Sequence, residues 1–298
     1  MWDEKEFRTK ARKYFERAEK AEPEDGAVLI WCILGLEFML RAPLAKVSPT
    51  LLADPTGASI LHALGYKPTD GGDATSIQTK TVLIRLATVA QDFTSDLQRD
   101  AKFLVSIRNT EIHSSDSPAD ELERATWMPK FLRVLSVVAA YFDETPRDYL
   151  NQDFLTHAEK LSDEDDKKLE HEVRTRINKH GQFVAGLSEE EKNDRLAAAP
   201  PKSGWGMSTK CPACETQVTA IYEVSRFGAE SFDSDSDEVV TPVFLVAKEL
   251  SCPICKLQLD GVREFKIAGL NQDGRSESRD HISDRILEDY DGPDYGND

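Results

Sequence analysis

Two copies of the pattern C-P-x-C constrain this chain more than any other feature: Cys211-Pro212-Ala213-Cys214 and Cys252-Pro253-Ile254-Cys255. Each turn presents two sulfurs to one point, and four thiolates around one ion meet the tetrahedral preference of zinc. Val218, Ala220, Tyr222 and Val224 alternate, and Val240, Val243, Leu245 and Ala247 do so less strictly, which predicts strands next to both pairs. The expected structure is a small β-rich zinc ribbon over residues 208–270, with Cys211, Cys214, Cys252 and Cys255 as ligands. A four-cysteine set leaves no open coordination position, so the zinc is expected to be structural. The competing reading, a redox pair, requires a C-x-x-C at a helix N-terminus. The acidic stretch Asp233–Glu238 is expected to form a mobile hairpin loop, and Arg263–Leu270 to add a strand.

The fifth cysteine, Cys32, lies in the apolar run Val28-Leu29-Ile30-Trp31-Cys32-Ile33-Leu34 and reads as a small buried hydrophobe. Metal-type cysteine spacing, with a start (Met1-Trp2-Asp3-Glu4) that lacks a basic n-region, leads to the expectation of a cytoplasmic protein. The longest apolar candidate, Gly26–Leu40, is interrupted by Glu37, so no membrane span is expected. The net charge of −17 argues against a protein that coats polyanions indiscriminately. The acids are clustered, however, at Asp163–Asp166, Glu189–Glu191, Asp233–Glu238 and Asp280–Asp298, which leaves room for local positive charge elsewhere.

Upstream of the cysteines the period is helical. Helices are predicted over about 3–21, 26–41 and 58–64. Another is predicted from Thr79, either continuing or bending through Leu104, and a further one runs to about Phe142. The expected fold is mainly α: an antiparallel helical bundle over residues 1–151, a helical connector over 152–207, then the ribbon. Residues 271–298 are expected to be an acidic tail, disordered or docking a partner through a helix around Ile282–Leu287.

The chemically loaded segment is Ser106-Ile107-Arg108-Asn109-Thr110-Glu111-Ile112-His113. Arg108 and His113, five positions apart and expected close to one face on a helix or helix end, offer a fixed cation and a group titrating near neutrality, with Asn109 as a polar orienter. RNA cleavage by its own 2′-hydroxyl needs little more: a base for the hydroxyl proton and a cation for the charge developing on phosphorus. An Arg and a His on one turn are also a common surface pair, and the spacing alone does not decide. Glu37 can hold Arg108 or Arg41, or simply form an internal salt bridge. Lys80, Arg85, Arg99 and Lys102 can add positive charge if they share the face of Arg108. His62 reads as a packing residue, and His157, His171 and His180 as solvent-facing. Gly71-Gly72 lacks the lysine of a phosphate loop.

An apolar stretch, R-N-x-x-x-H and a small polar loop within a helical bundle together resemble the HEPN family of helical nucleotide-binding and ribonuclease domains. Leu34-Gly35-Leu36-Glu37-Phe38-Met39-Leu40-Arg41 is similar to that family's second helix, and the likeness covers residues 1–150 or so. The resemblance implies that Arg108, Asn109 and His113 form the catalytic site with Glu37 in support, and that catalysis needs no cofactor. It further implies an RNA substrate, a homodimer in which two motifs meet, and a place in antiviral defence or toxin–antitoxin RNA restriction. A regulatory protein partner is expected at the ribbon or tail. Two rivals remain: a non-catalytic helical-zinc adaptor for RNA or protein, and a tail-and-ribbon module that docks a basic partner.

Overall fold

The computed structural model describes residues 2–22, 25–67, 73–198 and 203–281. They divide into two compact units, Met1–Glu172 and Val173–Asp298. The first is helical and the second is built on an antiparallel sheet.

In the first unit α1 (Glu4–Lys20) starts at Asp3, whose carboxylate accepts the backbone N–H groups of Lys5 and Glu6. Acids in its first turn and bases in its last complement the helix dipole. α2 (Ala27–Val47) is apolar nearly all round and buries thirteen of its residues, so it forms the centre of the unit. Around it are α3 (Gly57–Ala63), α4 (Thr79–Val89), α5 (Ser95–His113), the single turn α6 (Pro118–Glu121), α7 (Arg124–Ala140) and the first part of α8 (Gln152–Ala185). α2 packs against α1, α4, α5 and α7. The α1 contact depends on Gly35, where a Cβ would sit 2.7 Å from Cδ1 of the fully buried Phe15.

One sequence expectation changes here, and one left open is decided. α2 does not end near Arg41 but passes through Pro43 to Val47, carried by the burial of Leu44 and Ala45. At 21 residues it is long and apolar enough to cross a membrane by length and composition, although 67% of its apolar window is buried inside the protein. The stretch from Thr79 through Leu104 is two helices, because the chain turns between α4 and α5 to bury Phe93.

The second unit contains the end of α8, α9 (Glu189–Ala197), α10 (Gly261–Ile267) and six strands: β1 (Trp205–Lys210), β2 (Gln217–Phe227), β3 (Ser231–Asp233), β4 (Glu238–Ser251), β5 (Gln258–Asp260) and β6 (Asp273–His281). All pairings are antiparallel, in the order β1-β2-β4-β3, with β5 and β6 also on β4. Pro242 lies inside β4, a position that proline normally avoids because it cannot donate to a ladder. Its carbonyl accepts from Gly228 N at 2.7 Å, on the edge where β2 has ended and β3 has yet to begin. The missing N–H therefore faces the gap between two partners.

Three expectations for this unit need correction. Part of the acidic loop is ordered strand: Ser231–Asp233 pairs with Val240–Glu238, and a turn closes as Asp235 N donates to Asp233. Arg263–Leu270 is not a strand; residues 261–267 form α10, which buries Phe265 edge-on against Tyr222. The tail expected from residue 271 instead begins with β6, whose alternating charged residues cover the free edge of β4. The docking helix around Ile282–Leu287 lies outside the described residues.

Candidate functional site

The first site is built on Glu37, a carboxylate in the apolar α2 that retains 8% exposure. A buried charge of this kind has to be paired. Arg108, one helix away on α5, donates both Nε (2.9 Å) and Nη2 to Oε1. Oε2 accepts from Thr79 Oγ1 at 3.3 Å and lies 3.7 Å from Arg41 Nη1. Arg41 also donates to the Glu37 carbonyl (3.1 Å) and to Thr79 Oγ1 (3.2 Å). Two guanidiniums thus share one carboxylate. Burial lowers the Arg41 pKa from its ordinary value; Glu37 opposes this and the Arg108 charge adds to it. Because arginine stays protonated even so, the cluster keeps one positive charge in excess.

That charge opens onto a cavity of about 1140 Å³ between the end of α2, the start of α4 and the outer stripe of α5. Its lining includes Arg41, Thr79, Lys80, Lys102, Ser106, Arg108, Asn109 and His113. On α5, Lys102, Ser106, Asn109 and His113 follow the helical repeat and form one face, while Ala101, Leu104 and Ile107 on the other are buried. Arg108 does not lie in line with His113: five residues correspond to about 140° around a helix. It stands at the flank nearest α2, where Glu37 draws it in. The cavity reaches both because it wraps the C-terminal end of α5. His113 is the last residue of that helix and is exposed, as is Asn109.

All four residues singled out in the sequence, Glu37, Arg108, Asn109 and His113, line this one cavity. Lys80 and Lys102 line it as well. Arg85 does not, since it donates to the Leu51 carbonyl, and Arg99 pairs with Asp96. The sequence offers Arg41 only as a partner for Glu37 and gives no sign of Thr79. Spacing of i, i+4 from Glu37 was the available signal for Arg41, whereas Thr79 is brought in only by the fold. His62 packs edge-on against Trp2, with ring centroids 5.2 Å apart.

The second site is the cysteine cluster. The Sγ atoms of Cys211, Cys214, Cys252 and Cys255 all lie within 4.8 Å of one another, and two pairs are 3.5 and 3.6 Å apart. Tetrahedral coordination at about 2.3 Å requires sulfurs roughly 3.8 Å apart, so the four fit a single metal ion. The two turns share one backbone design. Cys211 N donates to Thr216 O and Glu215 N to Cys211 O, just as Cys252 N donates to Leu257 O and Lys256 N to Cys252 O. Glu215 and Lys256, which follow each pair, have φ of 59° and 64°. The second turn is braced from outside: His180 Nδ1 lies 2.6 Å from the Cys255 carbonyl and Arg195 donates to the Ile254 carbonyl at 3.0 Å. Arg176 bridges the Gln258 carbonyl and Glu264. His180 is therefore not the solvent-facing residue its charged helix suggested. Cys32 is fully buried on α2, and burial pushes its thiol pKa up.

Compared with known proteins, the chain matches no family model, no curated protein and no solved structure.

Proposed function

We propose that the helical unit is a metal-independent endoribonuclease of the HEPN type and that the cysteine cluster binds a structural zinc. The observation that carries the first part is the convergence of Arg108, Asn109 and His113 on one cavity whose single acid, among the described residues, is already committed to two arginines. In this reading His113 takes the proton from a ribose 2′-hydroxyl, and the oxygen attacks the adjacent phosphorus. The bond from phosphorus to the 5′-oxygen breaks, leaving a 2′,3′-cyclic phosphate and a 5′-hydroxyl that takes up one proton. Arg108, pre-oriented by Glu37, stabilises the charge on the phosphoryl oxygens. Glu37 is a positioning residue; it does not touch substrate. Soft, all-thiolate, four-fold coordination selects zinc over magnesium or calcium. As the motif's resemblance implies, two copies of the helical unit would pair and act on RNA in defence or toxin–antitoxin restriction.

The test is cleavage of mixed cellular RNA by purified protein in EDTA, wild type beside His113→Ala and Arg108→Ala, with zinc content checked in each. Cleavage by wild type alone, ending in cyclic phosphates, supports the reading; equal cleavage by all three refutes it. A second reading, a binding module without chemistry, draws on one observation: His113 has no orienting hydrogen-bond partner among the described residues. It expects RNA binding by all three proteins and cleavage by none.

A further inference from the structure

Beyond Arg108 and His113 the cavity holds two cations that the cleavage step does not use. Lys80 stands in the first turn of α4 and Lys102 in the middle of α5, so the two approach the cavity from different walls. Neither makes an ion pair or a side-chain hydrogen bond among the described residues. This is notable in a chain with 54 acids against 37 bases. α4 has no acid in its first turn, and the only carboxylate on the cavity wall among the described residues, Glu37, is saturated by Arg41, Arg108 and Thr79. Uncompensated positive charge on three walls of one cleft has to be answered by counterions or by a polyanionic ligand.

We infer that Lys80 and Lys102 form a second phosphate subsite, and that the cavity takes a single-stranded polynucleotide by at least two neighbouring phosphates, one at Arg108 and another at the lysines. Single-strandedness follows from how little of the two guanidiniums can be reached from the surface. Arg108 and Arg41 keep only 19% and 14% of their side-chain surface. A phosphate must therefore leave the outer surface and enter the cleft to meet Arg108, which a lone backbone can do and a stacked duplex cannot without unpairing. Asn109, exposed on the α5 stripe between Lys102 and His113, supplies a neutral donor along the same track, whereas the Ser106 hydroxyl already donates to the Phe103 carbonyl and can only accept. The assignment rests on the ribonuclease reading for the identity of the phosphate at Arg108, but the subsite itself is defined by binding.

The experiment measures anisotropy of a labelled single-stranded 2′-O-methyl oligonucleotide, which has no attacking hydroxyl, with full-length protein over a salt series. Each phosphate neutralised on a single strand contributes about −0.7 to the slope of log K against log salt. The double variant Lys80→Ala/Lys102→Ala is expected to flatten the slope by about 0.7 and to weaken binding at least tenfold at low salt, while Lys168→Ala, which removes an exposed lysine of α8 outside the cavity, binds as wild type does. A mononucleotide should compete at least a hundredfold less well than the oligonucleotide. The inference is overturned if the double variant keeps slope and affinity, if a duplex of equal length binds as tightly, or if poly-glutamate displaces the oligonucleotide at matched charge. Cleavage plays no part in these readouts, so an unchanged cleavage pattern in His113→Ala would sink the ribonuclease reading and leave the subsite standing.

Discussion

Replacing Glu37 by glutamine tests the keystone of the helical unit. The substitution keeps shape and volume but removes the charge that two guanidiniums share, and its amide must point an N–H toward either Arg108 or Thr79. Removing one partner of a buried ion pair costs about 3–5 kcal/mol. Because Arg41 and Arg108 retain 14% and 19% of their surface and can draw in water, the low end applies, about 3 kcal/mol. For a unit of this size 1 kcal/mol shifts the midpoint by about 2–4 °C, so thermal unfolding followed at 222 nm should move down by about 6–12 °C. The cause is isolated by adding Arg108→Met. If the two groups are coupled through the carboxylate, the double variant should lose at least about 1 kcal/mol less than the two single losses together. A midpoint within about 2 °C of wild type for Glu37→Gln, or strict additivity in the cycle, would refute the claim that Glu37 holds Arg108 in place.

Three further outcomes are expected. Gly35→Ala improves helix propensity by up to about 1 kcal/mol but drives a methyl into the Phe15 ring. Overpacking should win, giving a net loss of about 1–2 kcal/mol by urea unfolding, whereas a gain would show that Phe15 can move aside. Cys252→Ser should abolish binding of one metal equivalent per chain, read by elemental analysis, with dispersed β4 amide signals lost from the NMR spectrum; retained stoichiometry would remove Cys252 from the ligand set. Glu144 is pushed up by burial, but hydrogen bonds from Tyr149 and Arg8 more than reverse this and hold its pKa below the ordinary carboxylate value. A depressed folded-state pKa stabilises above the unfolded carboxylate value, about 4.3, and that contribution disappears as pH falls through the folded value. Glu144→Gln should therefore be about 1–2 kcal/mol less stable than wild type at pH 7 and converge with it in acid; a gap independent of pH would contradict the linkage.

The legible parts of this chain were those written in local period or in paired spacing. The two C-P-x-C turns located the metal-capable cluster because four sulfurs repeat one backbone design, and the helical period found α1, α2 and α7 from Phe15, Leu36 and Phe131. The convergence of Glu37 with Arg108 was foreseen as one option, since a lone acid in an apolar helix needs a cation. What stayed hidden depended on long-range pairing. β6 has almost no apolar residue, and only the unpaired edge of β4 makes Asp273–His281 a strand. Thr79 reached Glu37 through the path of the loop before α4, for which no spacing rule exists. His180 was misjudged because its helix is charged, while the carbonyl that holds it belongs to a turn 75 residues away.

The dependence of β4 on β6 also has a temporal side. β4 is the most apolar strand of its sheet, and its outer edge from Glu238 to Val246 is covered only by residues as late as His281. At about 5–20 residues per second, synthesis of the roughly 30 residues after Ser251 takes about 1.5–6 s, during which a nascent chain carries that edge uncovered. Neighbouring chains on one polysome would meet at this edge before the protein can shield it from within. Slowed translation between β4 and β6 should therefore raise co-translational aggregation more than slowing anywhere in the helical unit.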